Sequence, residues 1–120
     1  MDFVKINAQD LKNILNEKDI SNSHIYMLKD NKPLGYGLIK DSKEIYIYVP
    51  EPLRGKGYGN IIFKNILNEL KKFEYTRLEL TVKSDNIQIN KIINSNGGIE
   101  ILEEQNKTTY IIPLIKKASH

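Results

Sequence analysis

Cysteine is absent from this 120-residue chain, and histidine occurs only twice, at His24 and His120. Without a thiol there is neither a disulfide framework nor a thiolate nucleophile. The two histidines stand at no ligand-like spacing, so a zinc site would have to be built from several carboxylates, and no metal is expected. Nor is there an apolar run of the roughly 18 residues that a membrane helix needs, or an amino-terminal signal peptide. A cytoplasmic location without membrane association is the expectation. Charge of one sign is also scarce: 18 Lys and Arg against 15 Asp and Glu leave a net charge of +3, with the two signs intermixed along the chain. That is a solvated surface, not a nucleic-acid stripe, and no nucleic-acid partner is expected. A length of 120 residues suits one core, and residues 1–120 read as a single domain without repeats or linkers.

What the chain does have is concentrated in Val49 to Gly59, VPEPLRGKGYG. Upstream, Ile45, Ile47 and Val49 alternate with Glu44, Tyr46 and Tyr48, the period-2 pattern of a strand with two distinct faces, which Pro50 and Pro52 end. Downstream, Ile62, Phe63, Ile66, Leu67, Leu70 and Phe73 recur at three- and four-residue spacing, which predicts a helix with one buried stripe. Gly55, Gly57 and Gly59 therefore open a helix. Lacking β-carbons, they let the backbone approach a ligand, while the helix's first N–H groups and its dipole favour an anion such as a phosphate or pyrophosphate. Arg54 and Lys56 add positive charge at the same mouth, the arginine being the better bidentate partner. A P-loop would need GxxxxGK followed by Ser or Thr, whereas Lys56 is followed by Gly57. A dinucleotide fingerprint counted from Gly55 and Gly57 would need a third glycine where Asn60 stands.

The remaining order of elements is mixed. Residues 2–6 read as a strand, and Asn7 as the cap of a short helix carrying Leu11, Ile14 and Leu15. After a loop at Ser21 to Ser23, strands at about 24–29 and 34–40 are joined by Asp30-Asn31-Lys32-Pro33. Asp41-Ser42-Lys43 then turns the chain into the strand ending at Val49, completing an antiparallel meander. Arg77 to Val82 is a further strand. Asp85 and Gln88 suggest a capping box for a helix with Ile89, Ile92 and Ile93, stopped at Gly97. Two last strands, about 99–103 and 108–114, turn at Gln105-Asn106-Lys107.

The segment Arg54-Gly55-Lys56-Gly57-Tyr58-Gly59, directly after a strand ending in Val-x-Pro-Glu-like sequence, resembles the acyl-CoA pyrophosphate loop of the GNAT superfamily of N-acetyltransferases. A second stretch, Val82 to Ile101 (VKSDNIQINKIINSNGGIEI), is similar to the family's strand-then-helix segment that begins near an asparagine, here Asn86. The resemblance covers essentially the whole chain. It implies an α+β fold: a central, mostly antiparallel twisted sheet of about six to seven strands flanked by about three helices. It further implies a small, bacterial-like acetyl-CoA-dependent N-acetyltransferase with a cofactor loop at 49–60 and a second cofactor segment at 82–98. By resemblance, Ile47, Tyr48 and Val49 offer backbone hydrogen bonds to the pantetheine arm. Arg54, Gly55, Lys56, Gly57, Tyr58, Gly59 and Asn60 hold the pyrophosphate, and Asn86 contacts the arm or simply caps its helix.

The implied reaction passes the acetyl group of acetyl-CoA directly to a primary amine of a peptide, a protein, or a small polyamine or amino compound. It needs a base for the ammonium proton, donors for the oxyanion and an acid for the thiolate. Many relatives carry a tyrosine acid seven residues after the asparagine, where this chain has Ile93. Tyr46, Tyr48, Tyr110 or water are the alternatives. Glu44 is a candidate base, or a surface carboxylate in an ion pair; Glu51 either meets an incoming cation or ties down the loop. Tyr46 and Tyr48, on one strand face, either line the acceptor cleft or fill the core. Relatives usually carry two helices between the first two strands, but only Ala8 to about Glu17 is available here. The acceptor cleft is expected to be open, or closed by a second copy in a homodimer. The departure at Ile93 also keeps a second function in play: a catalytically weak CoA-binding or regulatory module with the same fold.

Overall fold

The structure, a computed structural model, describes residues 1–7, 23–40, 44–72 and 76–114. The expected first helix at 8–17, most of the loop at 21–23, the turn at 41–43 and Phe73 lie outside the described residues. So do the side chains of Ser23 and Glu44.

Four strands form an antiparallel meander: β1 (Asp2–Ile6), β2 (Ser23–Asp30), β3 (Lys32–Lys40) and β4 (Glu44–Tyr48), hydrogen-bonded in the order β1-β2-β3-β4. The reversal between β2 and β3 is tighter than the expected four-residue turn. Asn31, at φ 63°, takes the left-handed conformation that asparagine tolerates, so Asp30 already pairs with Lys32. Pro33 then falls inside β3 opposite Lys29, where a register shift absorbs its missing donor. After a 3-10 turn at Glu51–Leu53 comes α1 (Tyr58–Lys72), followed by β5 (Arg77–Lys83), α2 (Ile87–Ser95), β6 (Ile99–Glu104) and β7 (Lys107–Pro113). The last three strands make a second antiparallel sheet in the order β5-β7-β6.

Alternation along each strand sorts the side chains. Tyr26, Leu28, Ile39 and Ile45 from the first sheet and Leu78, Leu80, Val82, Tyr110 and Ile112 from the second converge on Ile62, Phe63, Ile66, Leu67 and Leu70 of α1. Ile89 and Ile93 of α2 join the same core. The stripe predicted for α1 is thus the stripe that is buried. A smaller cluster of Ile25, Tyr36 and Leu38 occupies the other face of the first sheet, with Tyr48 packed against it.

Two glycines set how closely α1 lies on β3. A β-carbon at Gly37 would stand 2.6 Å from Ile62 Cγ2 and 2.7 Å from Ile66 Cδ1, and one at Gly35 would stand 2.8 Å from Ile62 Cδ1. Such separations are inside van der Waals contact, so the strand must be bare there for the helix to sit down. Because β4 and α1 are joined by the short loop at 49–57, this docking also fixes where the loop is held.

Candidate functional site

Each sheet is internally paired, but β4 and β5 lie side by side in different sheets with no ladder between them. Two strands that fail to pair while sharing one core leave a slot. Here it is a cleft of about 910 Å³, lined by Ile45 through Val49, the loop from Leu53 to Asn60 (apart from Lys56), Thr81 to Lys83, and Asn86, Gln88, Ile89, Lys91, Ile92 and Lys107.

The glycine loop forms one rim. Pro50 starts the 3-10 turn, with Leu53 N donating to Pro50 O at 2.8 Å and Arg54 N to Glu51 O at 3.2 Å. Gly55 and Gly57 have φ of 82° and 85°, and nothing lies within 4 Å of where a β-carbon would stand on either. Torsion, not crowding, demands glycine at these two positions, and the space beside them is open. The first helical bond of α1 runs from Ile61 N to Gly57 O at 3.2 Å, so the N–H groups of Tyr58, Gly59 and Asn60 have no acceptor inside the helix. Donors, dipole and open space coincide at one rim, which suits an anion. Gly59 serves packing instead: a β-carbon there would meet Ile92 Cδ1 at 3.3 Å, so the glycine admits α2 beside α1.

Arg54 is exposed, and its Nε donates to Val49 O at 2.8 Å. One guanidinium nitrogen thus fastens the loop back onto the end of β4, while the two terminal nitrogens bond no described residue. Lys56 is exposed but does not line the cleft. Tyr58 is half-buried against the main core, and Asn60 Oδ1 accepts from Asn96 Nδ2 at 2.8 Å, tying the start of α1 to the end of α2. The exposed Glu51 is likewise absent from the lining.

The opposite wall is held by side chains. Asn86, not Asp85, caps α2: its Oδ1 accepts from Ile89 N at 3.2 Å, so the capping half of the expectation for this residue is met one position later than the capping box suggested. A short Asx cap at position 86 suffices because Asn86 N already donates to Lys83 O across the turn. Asn86 nonetheless lines the cleft, and its Nδ2 bonds no described residue. Asn90 Nδ2 donates to Lys83 O at 3.0 Å and to Asn86 O at 2.7 Å, clamping the turn that presents Asn86. Asn90 Oδ1 in turn accepts from the Tyr110 hydroxyl at 2.6 Å.

That last bond removes one candidate. Tyr110 is buried and its hydroxyl is spent on Asn90, so it does not reach the cleft as an acid. Ile93 is wholly buried, filling core where relatives were expected to carry a tyrosine. Tyr46 and Tyr48 do line the cleft, the former well exposed and the latter half-buried. Glu44 begins β4 opposite Lys40, and its side chain lies outside the described residues. Among the described residues, no group of three His, Cys, Asp or Glu could hold a metal ion, and no helix is long and apolar enough to cross a membrane.

Thr81, Lys83, Gln88, Lys91 and Lys107 also line the cleft, and the sequence marked none of them as a site residue, Gln88 being expected only in a capping box. For Thr81 and Lys83 a signal existed, since they alternate with the buried Leu80 and Val82. Lys107 needed the register of β7 on β5, which no local pattern supplies.

Comparison with known proteins agrees with this geometry. The model of the acetyltransferase (GNAT) family matches residues 4–91. Among curated proteins, none matches the sequence. Solved structures are similar in fold at low identity. A GNAT family acetyltransferase from Elizabethkingia anophelis, crystallised with acetyl-CoA, shares 14% identity at a TM-score of 0.72, covering 93% of this chain and 97% of the other. A mutant spermidine N-acetyltransferase from Vibrio cholerae gives 13% and 0.74, with 95% of both chains covered. The IAA acetyltransferase of Bacillus cereus gives 15% and 0.70, covering 92% of this chain and 97% of that one.

Proposed function

The chain belongs to the GNAT acetyltransferase family, and on that premise we propose that it transfers the acetyl group of acetyl-CoA directly to a primary amine, within the slot between β4 and β5. The observation that carries this reading is the missing ladder between those two strands, with an anion-suited rim at the end of the slot. It is supported by the acetyl-CoA bound to the similar acetyltransferase from Elizabethkingia anophelis.

In this reading the N–H groups around Gly55, Gly57 and Gly59 bind the pyrophosphate, with Tyr58 and Asn60 contributing main-chain donors and Arg54 its terminal nitrogens. Lys56 adds charge from outside the cleft. The pantetheine arm lies along the unpaired edge of β4, hydrogen-bonded by the backbone of Ile47, Tyr48 and Val49, and the free Nδ2 of Asn86 donates from the other wall. What the donor supplies is an activated acyl carbon. The neutral amine nitrogen attacks it, a C–N bond forms, and the carbonyl electrons move onto oxygen, where a β4 backbone N–H stabilises them. Collapse breaks the C–S bond, leaving an amide and a thiolate. The nitrogen's extra proton passes to Glu44 or to water, and the thiolate takes a proton from Tyr46, Tyr48 or water.

Titration calorimetry with acetyl-CoA, desulfo-CoA and ATP, followed on the same protein by thiol release with a panel of amines, tests the reading. Micromolar acetyl-CoA binding with amine-dependent release is expected. Binding without release would favour the regulatory CoA-binding module, a reading to which the buried Ile93 and the withdrawn Tyr110 give specific support. No binding would overturn both.

A further inference from the structure

Strand alternation divides the cleft into two faces of different chemistry. Ile45 on β4 and Leu80 and Val82 on β5 turn to the main core beneath α1, with Ile47 packed against it. Tyr46, Tyr48, Thr81 and Lys83 therefore project from the opposite face, and Lys107, which pairs directly with Lys83 across β5 and β7, projects with them. The glycine loop, Asn86 and Lys91 belong to the helix side. The far face is thus two phenols, one hydroxyl and two ammonium groups.

Two features of that face call for a ligand of one sign. Among the described residues no carboxylate lines the cleft on either side, whereas four cations do: Arg54, Lys83, Lys91 and Lys107. Lys83 and Lys107 also stand directly opposite each other on adjacent strands, an arrangement in which like charges repel. Glu104 is placed opposite Lys107 from β6, and Glu79 precedes Thr81 on the same face, yet among the described residues no ion pair joins either to a lysine, and neither lines the cleft. A polycationic amine would approach against this field. An amine that also carries an anion would approach with it.

We propose that the acceptor is a small amine bearing a carboxylate or phosphate, whose anionic group is held between Lys83 and Lys107 while its nitrogen enters the slot beside Tyr46 and Tyr48. This rests on the acetyl-transfer reading above and narrows its acceptor away from polyamines and lysine-rich peptides. Two ammonium groups next to the incoming nitrogen also disfavour its protonated form, so the recognition charge helps supply the neutral nucleophile.

The test uses the full chain and pairs of amines matched except for the anion: phosphoethanolamine against ethanolamine, β-alanine against β-alaninamide, with spermidine and a lysine peptide as cationic arms. The expected result is a kcat/KM for at least one anionic member about tenfold above its neutral partner, the size of one charge-assisted contact, with spermidine below both. Whichever pair shows the preference distinguishes phosphate from carboxylate. In a Lys83→Gln, Lys107→Gln double variant the ratio within that pair should fall to near one, with acetyl-CoA affinity read in parallel. Equal or better turnover of neutral and cationic amines overturns the proposal while leaving acetyl transfer standing. So does a ratio that survives in the double variant, or a loss of acetyl-CoA affinity in its place, which would assign the lysines to the donor's phosphates. Acetyl-CoA binding with no thiol release for any amine overturns both readings.

Discussion

The four-stranded half of the molecule and the three-stranded half meet the same helix but are held by different forces. In the first, β3 offers bare glycine backbone to Ile62 and Ile66 of α1, and the loop leaving β4 is shaped by backbone torsions at Gly55 and Gly57. In the second, side chains knit the strands and α2 together. Thr81 meets Thr109 at 3.0 Å, Ser84 meets Thr108 at 2.7 Å, and Asn90 joins Tyr110 to the turn at Lys83 and Asn86. The slot lies between a wall whose precision comes from missing β-carbons and a wall whose precision comes from amide and hydroxyl partners. Substitutions that add atoms should damage the first wall, and substitutions that remove polar atoms the second.

The largest effect should come from adding a carboxylate to the first wall. Gly57→Glu places negative charge and a strained positive-φ side chain beside the N–H groups of Tyr58, Gly59 and Asn60, which precede the first helical bond of α1. Calorimetry should show acetyl-CoA affinity reduced by at least about 100-fold, equivalent to roughly 3 kcal/mol, while the circular-dichroism spectrum keeps its native form because the site opens to solvent. Unchanged affinity would remove the loop from the binding surface. Next, Gly37→Ala drives a methyl into Ile62 and Ile66 without touching the cleft, and should destabilise the fold by about 1–3 kcal/mol in urea titration. On the second wall, Tyr110→Phe deletes one hydroxyl and leaves Asn90 Oδ1 short of a donor. A loss of roughly 1 kcal/mol in stability is expected, with a small rise in the KM for acetyl-CoA and no change in kcat. A large fall in kcat would return Tyr110 to the chemistry from which its burial removes it.

This asymmetry also explains what could be read from the sequence. The strands, both described helices and the glycine rim were legible because their signals are local: period two at Ile45, Ile47 and Val49, period three to four from Ile62 to Leu70, and glycines at a strand-to-helix junction. The second wall was legible only in outline. Asn86 was visible as a cap or contact residue, but the roles of Asn90 and Tyr110 depend on a bond between residues 20 apart, and Tyr110 looked from the sequence like any other available hydroxyl. Lys107 became part of the cleft only through its pairing with Lys83. Gly35 and Gly37 drew no attention because a glycine in a strand gives no hint of which helix comes down upon it. Local patterns name elements, whereas the far wall of a cleft is made by contacts between elements.

The smallest predicted effect sharpens the same comparison with a second buried tyrosine. Tyr26, on β2 of the first half, stacks on Phe3 with ring centroids 5.0 Å apart and, among the described residues, has no Asn partner of the kind that holds Tyr110. Burial, reinforced by the negative charge of Glu69 on α1, raises its pKa above the ordinary value of 10.0. The folded chain therefore keeps the phenol proton to a higher pH than the unfolded chain does. Between the two pKa values the folded state binds more protons, so stability is fully present below pH 10 and declines as pH rises through the folded-state pKa. Thermal melts in steps from neutrality into this alkaline range should show the decline in the parent protein and a shallower one in Tyr26→Phe, which has no proton to lose. Equal slopes in the two proteins would mean that the alkaline loss belongs to other groups, and that apolar packing alone, without any titrating contribution, secures β2 against α1.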